Sequence, residues 1–330
     1  MRPDKRLETH GQQDNRFQVP SSQFQNPWSG NMTQEQQLSF FQKWYLAARP
    51  KTLWASVGPV LIGTAMAYSD GGFHALSALA ALFIALLLQI GANFANDYFD
   101  FIHGADTHDR LGPMRLTQAG HIEPQTMKRA YLLMFGLAFV LGLYLIWRGG
   151  WPVLLIGIAS ILFGILYTGG PLPLGYIGLG DLFAFLFFGP VAVAGTYYVQ
   201  ALRINWTVII AGFGPGFIST AILVVNNFRD RETDKRTGKR TLATLFSPNF
   251  SRIEYVLMIA LAALLPVGLW WNSGQHPYAI ISALILVPAY PLLKILFKND
   301  SGPIFNEVLA GTGKLMLLYG ILFSIGWVIG

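Results

Sequence analysis

From Thr52 to the end of the chain, apolar residues run in stretches too continuous for alternating strands and too long for ordinary core helices. Nine such runs follow one another, at approximately 52–69, 74–95, 127–147, 151–167, 181–202, 206–225, 255–271, 277–297 and 308–329. Crossing the hydrocarbon core of a bilayer takes about 20 helical residues. Within lipid every backbone N–H and C=O must be paired inside its own segment, so continuous apolar runs of this length predict helices. The pattern therefore predicts an all-α polytopic membrane protein with about nine transmembrane helices. Residues 1–42 break the pattern, being rich in Gln, Asn, Ser and charge with no periodic apolar face, and they read as a disordered polar tail. No apolar stretch follows the basic start as a cleavable leader would require. Met32, just before TQEQQLSFFQKWYLAARPKTLW, offers an alternative start. The expected division is a tail over 1–42 and a transmembrane domain over 43–330.

Composition sharpens this reading. The chain is 53% hydrophobic and 12% charged, about half the charged fraction of a soluble domain, too little to cover a water-facing surface. The absence of Cys excludes a disulfide scaffold, a Cys-ligated metal and a thiol nucleophile. A net charge of +6 needs no nucleic acid as partner, because Lys and Arg gather in cytoplasmic loops of membrane proteins. Here they gather after the second run (Arg110, Arg115, Lys128, Arg129), after the sixth (Arg229, Arg231, Lys235, Arg236, Lys239, Arg240, Arg252) and before the first (Arg49, Lys51). That parity puts the N-terminus and both charged connections on the cytoplasmic side.

Those two connections, about 96–126 and 226–254, are long for a compact domain, and long loops usually carry function. They begin alike, with NDYFD at Asn96 and NNFRD at Asn226, so that Asn96 precedes Asp100, and Asn226 precedes Asp230, by four residues. If helix continues there, Asn226, Asp230 and Asp234 share a face, as do Asn96 and Asp100. Oxygen ligands on two sides of one space suit Mg²⁺, which takes one or two carboxylates and completes its shell with water and phosphate. The interleaved cations would let such a metal hold a diphosphate.

The pair of motifs resembles the UbiA superfamily of membrane prenyltransferases. The second stretch carries the full N-x3-D-x3-D spacing at Asn226, Asp230 and Asp234, whereas the first has Gly104 in the third place and Asp106 as its next acid. With RLGPMR, ARPKTLWASVGPVLIGTAMAY, YTGGPLPLGYIGLGD and NNFRDRETDKRTGKRTLA, the resemblance leans to the branch that prenylates 1,4-dihydroxy-2-naphthoate. It covers essentially everything from about Thr33 onward. It implies a nine-helix bundle around a central cavity in a bacterial cytoplasmic (inner) membrane, dependence on Mg²⁺, and contact with membrane lipid, a polyprenyl diphosphate donor and a naphthoate acceptor. Carried over residue by residue, it implies metal ligation by Asn96, Asp100 and Asp106 in one half, with Asp97 as a further ligand or a group behind the ligands, and by Asn226, Asp230 and Asp234 in the other. Arg110, Arg115, Lys239 and Arg240 would stabilise the departing diphosphate. Tyr167 has two readings, an aromatic face near the reacting carbon or an interfacial tyrosine. Asp181 is either a site residue or a first-turn acid complementing the helix dipole. Arg49 and Lys51 either bind the naphthoate carboxylate or anchor the first helix. Alternatives left open are another aromatic or lipid acceptor on the same scaffold, and an ion-coupled secondary transporter.

Overall fold

The computed structural model describes residues 38–104 and 111–330, so Asp106, Arg110 and most of the predicted tail lie outside the described residues. Among those residues the secondary structure is helical, in the order α1 (Phe40–Ala48), α2 (Pro50–Ser69), α3 (Ala75–Ile102), α4 (Pro124–Gly149), α5 (Trp151–Leu166), α6 (Gly180–Leu186) and α7 (Ala192–Ala201). There follow α8 (Trp206–Ala211), α9 (Phe213–Arg229), α10 (Arg231–Arg236), α11 (Leu242–Leu245), α12 (Pro248–Ser273), α13 (Leu286–Lys298) and α14 (Phe305–Ile329). Helix α1 starts inside the expected tail, at Phe40.

Each of the nine apolar runs becomes one helical passage, three of them broken. A π-turn over Phe187–Val191 joins α6 to α7, and a 3₁₀ turn over Pro277–Ile285 leads into α13. The third break, between α8 and α9, falls at Gly212. Seven passages are long and apolar enough to cross a membrane; a further one, α5, is apolar but only 16 residues long. The first break has a plain cause. Pro190 supplies no N–H, and Gly189 takes up the non-helical backbone (φ −111°, ψ −109°) that follows. A Cβ on Gly189 would stand 2.6 Å from the Gly212 carbonyl oxygen and 2.7 Å from Gly216 Cα. The two broken passages thus cross backbone against backbone, which only small residues permit.

Helix α2 packs along α14, α3 along α4, and α9 along α12 and α14. Between them lies a core containing Ile62, Met66, Tyr197, Ile218, Tyr255 and Tyr319. Outward faces stay apolar, with Leu79, Phe83, Leu133, Val140, Leu257 and Leu264 exposed. Such an exterior is stable only against lipid.

The acidic motifs begin on continuing helix, the condition under which their spacing aligns them on one face. Helix α3 does not end with its apolar run near residue 95 but continues to Ile102, and α9 continues to Arg229. Asn96, Asp97, Asp100 and Asn226 are therefore helical residues. Loss of hydropathy marks where a helix leaves lipid rather than where it stops hydrogen bonding, and these side chains find partners that keep the ladder intact.

Candidate active site

A cavity of about 440 Å³ opens inside the bundle, and its polar end is walled by Asn96, Asp100, Asn226, Asp230, Asp234 and Lys239. Helix α3 delivers the first pair one turn apart. Thr168 donates to Asn96 Oδ1 (2.8 Å), fixing the amide orientation. Asp100, 2% exposed, is paired with the buried guanidinium of Arg115 and accepts from the Tyr176 hydroxyl at Oδ1 (2.8 Å). A carboxylate this deep is tolerable only with such partners.

Helix α9 and the turn after it deliver the second set. The Asp230 N–H bonds to the Asn226 carbonyl (3.1 Å) and the Asp234 N–H to that of Asp230 (2.8 Å), so the helical period passes through the cap into α10. Arg229, buried to 2% exposure, grips Asp230 with two nitrogens (Nε to Oδ1 2.8 Å, Nη2 to Oδ2 2.6 Å). The same guanidinium donates to Asn226 Oδ1 (2.9 Å) and Asn306 Oδ1 (2.8 Å). Asn306 in turn donates to the Leu111 carbonyl (2.8 Å), tying α14 to the first connection.

Lys239 joins the two sets. Its ammonium lies 3.5 Å from Asp234 Oδ1, 3.9 Å from Asp100 Oδ1 and 4.5 Å from the centre of the Tyr176 ring. The carboxylates of the two motifs are therefore both within reach of one cation. Burial pushes the Asp234 carboxyl up to about 6 against the pull of Lys239, with Asp230 and Asp100 adding to the rise.

The remaining predicted residues divide. Arg49 and Tyr167 line the cavity. Tyr167 caps α5, its N–H bonded to the Phe163 carbonyl and its own carbonyl accepting from Gly175 N–H (both 2.9 Å). Asp97 faces away, where its carboxylate accepts from the N–H groups of Leu116 and Thr117 (3.0 Å each); it pins the first connection rather than offering a ligand to the cavity. Arg115 reaches the site as the partner of Asp100. Arg240 is exposed and Lys51 is exposed, and neither lines the cavity. Asp181 is buried at the start of α6 with Oδ1 unbonded, and it too is outside the cavity lining.

Three contributors escaped the sequence reading. Arg229 counted there as a loop charge, although its place between Asn226 and Asp230 was a usable signal. Tyr176 lay inside the YTGGPLPLGYIGLGD segment without being singled out. Asn306 belongs to no motif, and only the folded chain brings it to Arg229. Arg252, also counted as a loop charge, instead closes the C-terminal end of α13 through the Leu296 and Asn299 carbonyls (3.0 and 2.9 Å).

Below the acids the lining changes twice. Thr52, Ser56, Gln89 and Asn93 form a polar band beside Arg49. Asn93 Nδ2 donates to the Ala48 carbonyl (2.9 Å) and to Thr52 Oγ1 (3.1 Å). Deeper still the wall is apolar, running along α3 to Ala81, about 28 Å from Asp100 at the helical rise of about 1.5 Å per residue. Phe163 stands 4.6 Å from Phe183 and 5.4 Å from Phe187, ring centre to ring centre, along this stretch.

Among the described residues, no three Asp, Glu or His side chains converge closely enough to enclose a metal ion. The donor set facing the cavity is nevertheless all hard oxygen, from Asn96, Asp100, Asn226, Asp230 and Asp234. That is the chemistry of a Mg²⁺ site completed by water and substrate phosphate rather than by a protein cage.

A profile of the UbiA prenyltransferase family matches residues 56–306. The 1,4-dihydroxy-2-naphthoate octaprenyltransferase of Haemophilus influenzae is 34% identical over 301 residues, covering 87% of this chain and 96% of that one. The enzyme of the same name from Escherichia coli is 36% identical over 301 residues, covering 88% and 97%. Among solved structures, a UbiA homologue from Archaeoglobus fulgidus bound to GPP and Mg²⁺ superposes with a TM-score of 0.63 at 15% identity, covering 86% of this chain and 99% of that one.

Proposed function

The chain belongs to the UbiA prenyltransferase family, and from that premise we propose that it transfers a polyprenyl group from polyprenyl diphosphate to 1,4-dihydroxy-2-naphthoate, releasing diphosphate and CO₂ and giving demethylmenaquinol. The observation that carries this reading is the coincidence of three zones in one cavity: acids framed by cations, a polar band with one arginine, and an apolar passage lined by aromatic rings.

The residues divide the work accordingly. Asn96 and Asp100 in one half, and Asn226, Asp230 and Asp234 in the other, are the groups that would hold Mg²⁺. Bound there, Mg²⁺ supplies Lewis-acid neutralisation of the diphosphate leaving group. Lys239, and Arg115 and Arg229 behind the carboxylates, set the local charge against which the allylic C–O bond breaks, its electron pair leaving with the diphosphate. Tyr167 and Phe163 present π-faces to the allylic cation, and the apolar lining keeps water from capturing it. Arg49 holds the naphthoate carboxylate within the polar band. The ring carbon attacks the cation, the C–C bond to the carboxylate breaks, and its electron pair restores the aromatic ring as CO₂ departs.

The site faces the cytoplasm of a bacterial inner membrane on this reading, because the acidic motifs lie at the helix ends richest in Lys and Arg. The decisive test is a membrane assay with the naphthoate and radiolabelled polyprenyl diphosphate, with and without Mg²⁺. Expected are lipid-soluble product and CO₂ only when the metal is present. Prenylation of a different phenol or of a glycerol phosphate, with the naphthoate inert, would overturn the acceptor; transfer to no acceptor would overturn the reaction.

A further inference from the structure

Tyr176 occupies a short 3₁₀ turn, Leu174–Tyr176, in the connection between α5 and α6; its ring meets that of His103 edge-on (centres 5.9 Å apart), and further contacts tie it to the site. Its hydroxyl donates to Asp100 Oδ1 (2.8 Å) at the end of α3. Its ring lies 4.5 Å beneath the Lys239 ammonium. Its carbonyl accepts the Arg240 N–H (2.9 Å) from the segment that follows α10. A single residue of one connection thus touches an acid of the first motif and the cation that pairs with Asp234 of the second, each by a different kind of interaction.

The position of Lys239 explains why this matters. An ammonium pulled toward Asp234 at 3.5 Å and Asp100 at 3.9 Å has its charge spent on carboxylates, yet a leaving diphosphate needs that charge directed at itself. An aromatic face attracts a cation without neutralising it and without supplying a competing lone pair. Held over a ring, the ammonium can exchange carboxylate oxygens for diphosphate oxygens with little movement of its stem, which lowers the ordering cost of binding. We infer that Tyr176 is a positioning residue for diphosphate binding, holding Lys239 over its ring between the two acidic motifs while its hydroxyl orients Asp100. The inference rests on the diphosphate reading above and adds the residue through which the two halves act together.

The test is a double-mutant cycle on the full-length protein in lipid nanodiscs, read by calorimetric binding of inorganic diphosphate in Mg²⁺ and, separately, by kcat and KM. Tyr176→Leu removes the ring; Lys239→Met removes the cation with its stem retained. Expected is about a tenfold loss of diphosphate affinity in Tyr176→Leu, a loss that vanishes in the Lys239→Met background. Tyr176→Phe keeps the ring and loses only the bond to Asp100, so its affinity changes less than about threefold while kcat falls. An equal loss from Tyr176→Leu with and without Lys239 would overturn the inference, because a merely structural residue weakens both backgrounds alike. Should Tyr176→Leu fail to fold, Tyr176→Phe decides: a tenfold loss of affinity with the ring intact would also overturn it. Wild-type protein that binds no diphosphate would instead overturn the function itself.

Discussion

The two acidic motifs start with the same spacing and are finished by opposite means. In the first, α3 stops where the third acid of the pattern would stand: Gly104 has φ +62°, and its N–H closes on the Phe101 carbonyl (3.1 Å). The carboxylates before it are then satisfied from far along the chain, Asp100 by Arg115 and Asp97 by the backbone at Leu116 and Thr117. In the second, the helical period runs on through Asp230 to Asp234, and the balancing cation is the neighbouring residue, Arg229. One half is thus assembled by a loop folding back, the other by local sequence. The first depends on tertiary closure for its charge balance and the second carries its balance with it, which leaves the first as the half whose geometry substrate can alter.

The comparison breaks most visibly at the carboxylates themselves. Asp230→Asn and Asp100→Asn should each lower kcat by about a thousandfold or more in the membrane assay, since each removes an ionised oxygen where leaving-group charge develops; full activity in either would make that half dispensable. Next come the arginines. Arg229→Ala leaves Asp230 buried without its bidentate partner and should cost about 3–5 kcal/mol, seen as a lowered unfolding temperature in detergent. Arg115→Ala should cost less than Arg229→Ala, because a loop-supplied pair can let water in when it opens; an equal or larger loss would erase the distinction between local and long-range closure.

Asp97→Asn tests the fold-back itself. Losing a charged acceptor for two N–H groups should cost about 2–3 kcal/mol and expose the segment after Leu111 to protease, with no comparable change near Lys239. The pH dependence separates the halves more gently. Asp234, whose carboxyl sits at about 6, stands at the place where the first motif has Gly104. A raised acid stabilises the apo fold at low pH and loses that contribution as pH rises through about 6, whereas metal ligation needs the ionised form. Mg²⁺ affinity should therefore fall about tenfold per pH unit below about 6, and Asp234→Asn should flatten that slope. The smallest effect belongs to Gly104→Ala, where no atom of the described residues stands within 4 Å of the added Cβ: a backbone cost of about 1 kcal/mol with little change in turnover.

How much of this could be read from the sequence follows the same divide. Asn226, Asp230 and Asp234 were legible because their spacing matches the helix that bears them, and the apolar runs located every passage. Asp97 was expected as a further ligand or as a group behind the ligands; spacing places it beside Asp100 but cannot say that its face of the helix meets a returning loop. Arg229 was read as a topology charge because hydropathy counts residues without asking which way they point. Lys51 and Arg240 are exposed and outside the cavity lining, an exposure that charge alone could not indicate; for Lys51 it accords with the anchor reading. Contacts such as Asn306 with Arg229, separated by 77 residues, exist only after the chain has folded.

The apolar passage along α3 also sets where this chemistry can happen at all. Bringing an isoprenoid tail into water costs about 0.8 kcal/mol per carbon, or about 4 kcal/mol for each five-carbon unit, so a tail several units long is in effect confined to the bilayer sheet. A reaction chamber whose greasy end lies among lipid-facing helices lets such a molecule be found by lateral diffusion in two dimensions. Its finished quinol can leave the same way. The enzyme's supply is then governed by how much donor is dissolved in the surrounding lipid, and dilution of that lipid, rather than dilution of the surrounding buffer, is what would slow it.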